Sequence, residues 1–194
     1  MIAAQRRRNE NIIEYILYMW QVEDMIRANG FDMAKIDETI VSKYTNVDED
    51  TRRQIHDWWD NLLTMMQVEK LEQKGHLKII QMLMNDVYNY HLYLLTQPTE
   101  IPYQNAFQSA WADLSVFEKK IPGGDKMHHI ELSITALYEY FLLKVQKKLI
   151  LADTTNAIVR ISRYLNILSN KYLAAEREMK KAAETNADGT LIKH

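Results

Sequence analysis

Helix-breaking residues are scarce in this chain, since glycine and proline together supply eight of its 194 residues. Proteins on average hold these two residues at roughly 12% of their positions, and sheet proteins need them at the many turns between strands. The scarcity therefore predicts an all-α protein with long helices. The chain also lacks cysteine, which excludes disulfides, thiolate metal sites and iron–sulfur clusters.

The few breakers fall where helices are expected to end, and between them apolar residues recur every three or four positions. This spacing predicts an antiparallel bundle of about four long helices with two or three shorter helices packed on it. We expect a single domain over residues 1–184 and a disordered tail over 185–194; a division near Gln97–Pro102 is the alternative. The predicted helices run over about 4–29, 32–44, 50–74, 76–95, 103–120, 125–149 and 155–174.

Charge and hydropathy favour a cytoplasmic protein without a membrane segment. The basic cluster Arg6–Arg8 precedes an apolar stretch, but acids interrupt that stretch and no cleavage site follows, so we expect no signal peptide. The longest uncharged run, Val87–Thr99, is too short and too polar to span a bilayer. The formal net charge is -2, and acids flank most basic clusters, which disfavours nucleic-acid binding.

Two polar residues fall within otherwise apolar helix faces. At about 100° per residue, Glu23 lies on the stripe of the first helix, and His91 lies on the stripe of the fourth. A carboxylate that faces a core must be paired, hydrogen-bonded or protonated. Arg27, one turn later, is the expected partner of Glu23. We expect these residues to form either a structural network that fixes helix register or the lining of a ligand pocket.

The sequence contains weak signals for a metal. Di-iron bundles use Glu-x-x-His on two helices, whereas this chain has only the reverse order, from His128 to Glu131. One such cluster at the start of a helix is insufficient for a site, and Asp125 just before it is expected to cap the helix. We therefore expect no metal and no other cofactor, with His128 and Glu131 as the residues that a metal would use.

The chain lacks the motifs of the common enzyme classes, including a phosphate-binding loop and the Gly-x-Ser-x-Gly turn. Its aromatic residues follow helical spacing instead, so most of them are expected in a core or an interface. Trp58 and Trp59 are adjacent and must diverge by about 100° on a helix. We therefore expect one of them to face a groove or a partner, either another protein or a second copy in a homo-oligomer.

The stretch from Asn11 to Arg27, which reads NIIEYILYMWQVEDMIR, resembles the opening of a bacterial family known only as a domain of unknown function. The resemblance extends over most of the chain, to about Glu178. It implies a small, cytoplasmic, helical protein. It implies no activity, cofactor or catalytic residue, because none is assigned to the family.

These observations favour a cytoplasmic helical-bundle module for binding or assembly, without catalysis and with its catalytic residues unknown. The first alternative is a small-molecule or metal-dependent bundle enzyme that uses Glu23 and His91. The second alternative is nucleic-acid binding, which needs a continuous basic stripe on the folded surface.

Overall fold

A computed structural model describes residues 2–190, and the chain is all-α as predicted. Within these residues the structure has eight α-helices and no strand. Two short 3-10 turns, Val41–Lys43 and Gly124–Lys126, lie between helices. The helices are α1 (Ile2–Glu10), α2 (Ile12–Ala28), α3 (Met33–Thr39), α4 (Glu49–Val68), α5 (Lys78–Thr96), α6 (Ile101–Lys120), α7 (His129–Val145) and α8 (Ala152–Thr190).

The predicted first helix is divided in two at Asn11. The side-chain oxygen of Asn11 accepts a hydrogen bond from the backbone N–H of Ile13 at 3.0 Å. The N–H of Ile12 donates to the hydroxyl of Ser169 at 2.9 Å. These side chains satisfy the first N–H groups of α2, which is how helix starts are stabilised. The apolar periodicity continues through the break, so the pattern alone predicted one helix.

Six of the helices in the described part of the chain have 17 residues or more, rather than the predicted four. The last helix, α8, continues to Thr190, so it includes the first six residues of the predicted tail 185–194. Residues 191–194 lie outside the described residues. The antiparallel arrangement of the long helices stays a prediction.

The described chain divides into two compact units, and none of the three boundaries between them falls near Gln97–Pro102. The single domain over residues 1–184 stays a prediction. The first unit contains residues up to 8 together with 14–83, and the second contains residues 9–13 and 84 onwards. In the first unit, α3 packs against α4. The fully buried side chains of the first unit include Ile16, Ile26, Ile36, Met66 and Leu77.

In the second unit, α6 packs against both α7 and α8, and α7 packs against α8. Two large aromatic residues, Tyr103 of α6 and Tyr164 of α8, are fully buried in this unit, with their ring centroids 6.4 Å apart. These two rings give the second unit an aromatic core, and the site described below lies beside it.

Among the residues described, no helix has the length and apolar character that crossing a membrane requires.

Candidate functional site

The carboxylate of Glu23 lies in the interior of the first unit and is fully satisfied there. Its side chain has no solvent exposure. One oxygen lies 2.6 Å from Nδ1 of His76, and the other accepts the backbone N–H of Leu77 at 2.9 Å. The ring of Trp20 stacks on His76 with centroids 4.0 Å apart. Glu23 therefore holds the start of α5 on α2, as a structural residue would.

Arg27 does not pair with Glu23, contrary to the sequence expectation. Its guanidinium pairs with Asp24 at 2.8 Å and donates to the carbonyl oxygens of Leu71, at 3.0 Å, and Gly75. The reason is that both oxygens of Glu23 already have donors, whereas the carbonyls of the α4–α5 connection lie within reach of the longer arginine side chain. Arg27 thus secures the same connection that Glu23 secures.

The two adjacent tryptophans diverge on α4, as helical geometry requires. Trp59 is 2% exposed and belongs to the core of the first unit, so it is unavailable as the interface residue considered above. Trp58 is half-buried, packs edge-to-face on Trp59 and stacks on Tyr18 with centroids 6.5 Å apart. Only Trp58 keeps surface that a partner can contact.

His91 lies in the second unit, and Glu23 in the first, so the single network expected from the sequence is not formed. Each of the two side chains finds its hydrogen bonds within its own unit. His91 is fully buried, and its Nδ1 lies 2.5 Å from the hydroxyl oxygen of Tyr103. Burial and the neighbouring histidines lower the pKa of His91 to about 4. The imidazole is therefore neutral at neutral pH.

The hydrogen bond to Tyr103 fixes which nitrogen of His91 carries the proton. Nε2 of His91 is buried and has no hydrogen-bond partner within the described residues. If the Tyr103 hydroxyl donates to Nδ1, the Nε2–H of His91 is the one polar group of this pair without a hydrogen-bond partner in the described structure. The reverse arrangement would also strand the hydroxyl proton of Tyr103, so it is less favourable. His91 thus presents a buried N–H donor.

His128 caps α7, the role that the sequence assigned to Asp125. Its Nδ1 accepts the backbone N–H of Glu131 at 3.1 Å, so the proton of this neutral imidazole is on Nε2. That Nε2–H is buried and, in the part of the chain that the structure describes, unpartnered. Burial lowers the pKa of His128, which keeps the ring neutral. Because Nε2 carries a proton, it has no lone pair for a metal, and Glu131 is engaged here through its backbone N–H.

His129, the next residue, completes a cluster of three imidazoles. Its ring lies edge-to-face with that of His91 at 5.8 Å between centroids. Tyr88 joins His128 to the cluster, since its ring stacks on His128 at 4.1 Å and lies 6.1 Å from His91. Nδ1 of His129 is again buried without a partner among the described residues, and burial lowers the pKa of this ring. We call His91, His128 and His129 the histidine cluster.

Aromatic rings surround the histidine cluster. Phe107 lies edge-to-face with His91 at 4.7 Å, and Trp111 lies edge-to-face with His129 at 5.0 Å. Tyr103, Phe107 and Trp111 follow one another at intervals of four residues on α6, which places them on one helix face. This environment lowers the polarity around the three rings, and desolvation is the main reason that their pKa values fall.

A cavity of about 250 Å³ adjoins His129 within the second unit. Its polar lining consists of His129, Ser115 and Glu118. The cavity is bounded by α6, by the start of α7 and by the turn between them. That turn lies close to α6 at Gly124, where a Cβ would collide with the carbonyl oxygen of Glu118. The apolar part of the lining is Trp111, Leu114, Met127 and Leu132.

The sequence pointed to part of this site only. It singled out His91 as an inward-facing residue and His128 as a metal candidate, but it assigned Phe107 and Trp111 to an ordinary core. The pair His128-His129 at a helix start and the aromatic residues at intervals of four on α6 were the available signals. Within the residues described, no group of three or more His, Asp or Glu side chains has the arrangement of a metal site.

Comparison with known proteins identifies a family but no activity. The model of the family described as "Domain of unknown function (DUF4924)" matches residues 1–179. No curated protein and no solved structure matches the chain. The match covers nearly the whole chain and confirms the resemblance noted for the stretch from Asn11 to Arg27. The chain therefore belongs to the DUF4924 family, a group of proteins defined by a domain of unknown function.

Proposed function

We propose that the second unit binds a small molecule, without catalysis, at the histidine cluster and the adjoining cavity. The observation that supports this proposal is the presence of three buried imidazole nitrogens without hydrogen-bond partners in one cluster of the described chain. Native proteins pair nearly all buried polar groups, so each exception calls for a hydrogen-bond partner from elsewhere. A cluster of three exceptions beside a cavity favours a ligand over packing.

The chemistry of the histidine cluster and of the cavity beside it indicates the class of ligand. Of the three histidines only His129 lines the cavity, and the N–H groups of His91 and His128 in the same cluster are donors, so a ligand that reaches them needs acceptor oxygens or nitrogens. All three rings are neutral at neutral pH because their pKa values are lowered, and Glu118 lies at the cavity, so a buried anion would be costly. Trp111 and Phe107 suit a flat apolar body. A neutral aromatic amide or ketone fits these requirements.

An NMR titration tests the proposal with benzamide as the probe and benzoate as the matched anion. We expect benzamide to shift the side-chain ¹⁵N signals of His91, His128 and His129 saturably. Benzoate has the same shape but carries a charge, so we expect it to bind more weakly by about tenfold or more. Saturable binding that leaves all three histidine signals unchanged would place the ligand elsewhere and contradict the proposal.

The control variant is Trp111→Ala, because this side chain lines the cavity without belonging to the hydrogen-bonded cluster. We expect it to weaken benzamide binding while the signals of His91 and His128 in the free protein keep their positions; the His129 signals shift because the Trp111 ring lies against that imidazole. Native mass spectrometry of the purified protein provides a test independent of the probe. A bound small molecule in the wild type that is absent from Trp111→Ala would support the same site.

Self-association is the second candidate function. From the last two turns of α7 to the start of α8, four apolar side chains close in sequence are exposed and are called the apolar patch, with exposed fractions from 37% for Phe141 to 93% for Leu149. Exposed apolar groups that cluster in this way are typical of protein–protein contacts. Light scattering after size exclusion tests this candidate: Leu149→Lys should dissociate an oligomer that the wild type forms. The other two residues of the patch are Val145 and Leu151.

We also propose that the protein acts in the cytoplasm. The absence of cysteine is compatible with a reducing compartment, and no helix in the described range is suited to a membrane. Cell fractionation with an antibody against the chain tests this location.

A further inference from the structure

A second cavity, in the first unit, is built differently from the first. It has a volume of about 440 Å³ and lies beside α3, the 3-10 turn after it and the first half of α4. Two arginines and a histidine from α4 contribute to its lining, namely Arg52, Arg53 and His56. The acids in the lining are Asp37 and Glu49. This site shares no residue with the histidine cluster or its cavity.

Arg52 is the residue that distinguishes this cavity. The side chain is half-buried, and its Nε is fully buried without an acceptor in the described part of the structure. One of its terminal nitrogens makes a long contact of 3.3 Å with the carbonyl oxygen of Tyr44. A guanidinium is always charged and has only donors, so its Nε–H needs an acceptor. The edge formed by Nε and a terminal nitrogen matches two oxygens of an oxyanion.

The other basic groups at this cavity, Arg53 and His56, are already paired with acids. Arg53 forms an ion pair with Asp50. Nδ1 of His56 lies 2.8 and 3.0 Å from the two carboxylate oxygens of Asp37. Arg52 therefore carries a charge that no carboxylate among the described residues neutralises. Glu49 lies one turn before Arg52 and forms no ion pair with it there.

We propose that the cavity beside α3 and α4 binds an oxyanion, with Arg52 as the main ligand and His56 as a second positive group. The oxyanion is a phosphate or sulfate group, or a carboxylate, since all three present two oxygens to the edge of a guanidinium. The hydrogen bond to Asp37 raises the pKa of His56 and so favours the charged ring, but the Asp37 carboxylate offsets that charge and the pair adds no net charge to the lining. Glu49 opposes an anion, so it limits the affinity.

The test follows the Nε–H signals of the arginines by NMR while sodium sulfate or sodium acetate replaces sodium chloride at constant ionic strength. We expect a saturable shift of the Arg52 signal. Preference for sulfate indicates a phosphate-like group, and equal or tighter binding of acetate indicates a carboxylate; both outcomes support the site. The absence of a saturable Arg52 shift with either anion would overturn the proposal.

Two matched variants separate a bound anion from general charge attraction. Arg52→Met keeps the aliphatic stem and should weaken sulfate binding, followed here on the ring signals of His56, at least about tenfold, because it removes charge-assisted hydrogen bonds. Arg53→Met also removes one positive charge from the lining but leaves the guanidinium of Arg52 in place, so the affinity for sulfate should change by less than about threefold. Equal losses in both variants would show that only net charge matters and would overturn the proposal.

A third variant keeps Arg52 intact and covers the case in which Arg52→Met fails to fold. Glu49→Gln removes the opposing charge, so sulfate should bind more tightly than to the wild type, by about threefold or more. Arg52→Met itself should fold, because the lost Nε–H has no acceptor to leave unsatisfied. Unchanged or weaker sulfate binding in Glu49→Gln would contradict an anion at this position.

Discussion

Nδ1 of His91 lies 2.5 Å from the phenolic oxygen of Tyr103, and both side chains are completely buried. Burial raises the pKa of the Tyr103 hydroxyl and lowers that of His91 to about 4, so this is a hydrogen bond between two neutral groups. Within the described structure, this contact is the only hydrogen bond of the Tyr103 hydroxyl. The tyrosine therefore determines that His91 directs a donor, and not an acceptor, from Nε2.

Removing the Tyr103 hydroxyl should destabilise the protein. Tyr103→Phe leaves Nδ1 of His91 buried without its donor, which should lower the free energy of unfolding by about 1–3 kcal/mol. Urea denaturation measures this loss. Tyr90→Phe is the control, because the Tyr90 hydroxyl is only partly buried and donates to the Lys171 carbonyl at 3.2 Å. Equal losses in the two variants would show that the hydrogen bond to His91 stabilises the protein no more than the partly exposed hydrogen bond of Tyr90 does.

Acid should destabilise the protein through His91. Its pKa is about 4 in the folded protein and 6.5 for an ordinary histidine, so between these values the unfolded chain binds a proton that the folded chain does not. Stability is therefore complete above about pH 6.5 and falls towards pH 4, by at most about 1.4 kcal/mol per pH unit for this group. The lowered pKa values of His128 and His129 act in the same direction.

Urea denaturation at a series of pH values measures this dependence, and His91→Asn isolates the contribution of His91. Asparagine keeps an acceptor for the Tyr103 hydroxyl but does not titrate. We expect the stability of the His91→Asn variant to depend less steeply on pH than that of the wild type between about pH 4 and pH 6.5. An unchanged slope in His91→Asn would assign the acid sensitivity to other groups.

The two neighbouring histidines should respond differently to the same substitution, with His129→Phe more stable than His128→Phe. His129→Phe removes a buried nitrogen that has no partner in the described structure, so the free energy of unfolding should rise by about 1 kcal/mol. His128→Phe removes a similar nitrogen but also the cap of α7, which costs about 1 kcal/mol or more. Thermal unfolding compares the two variants. A loss in His129→Phe would indicate that its nitrogen is satisfied in solution.

The helices could be predicted from the sequence because each depends on local features. Apolar spacing and the breakers located α5 and α6 to within two residues at each end, but the predicted helices overran α4 by six residues at its end and α7 by four at each end. Gly30, with φ of 66°, ends α2 in the left-handed conformation expected of a helix C-terminus. The break at Asn11 was missed because Ser169, whose hydroxyl accepts the N–H of Ile12, is 157 residues away from Ile12. Apolar periodicity carries no information about such a contact.

For the candidate site, the sequence predicted which helix face a single residue occupies but not which residues it contacts. Periodicity placed Glu23 and His91 on inward faces, where both lie in the structure. It could not predict their partners, because hydrogen bonds between helices depend on how the helices are registered. His76 is 53 residues from Glu23, and Tyr103 follows His91 only after an intervening loop. The unpartnered nitrogens of the histidine cluster become visible only when all surrounding groups are placed.

Glu23→Ala should destabilise the first unit. The substitution strands the buried N–H of Leu77 and removes the partner of His76, so we expect a loss of about 1–3 kcal/mol in the free energy of unfolding. Glu72→Ala is the control, since Glu72 is an exposed acid in the same connection, and it should change stability by less than about 0.5 kcal/mol. Similar small effects in both variants would mean that water replaces the Glu23 carboxylate.

His56 should titrate above an ordinary histidine, opposite in direction to His91. The hydrogen bond to Asp37 raises the pKa of His56, and the charges of Asp57 and Asp60 add to this effect. Because the folded pKa exceeds the unfolded one, this pair stabilises the protein fully below the ordinary histidine pKa, and the contribution is lost as pH rises through the folded pKa. NMR titration of the His56 ring measures the value directly. Asp37→Asn should lower it towards that of an ordinary histidine, and an unchanged pKa would show that Asp37 does not hold His56 in its charged form in solution.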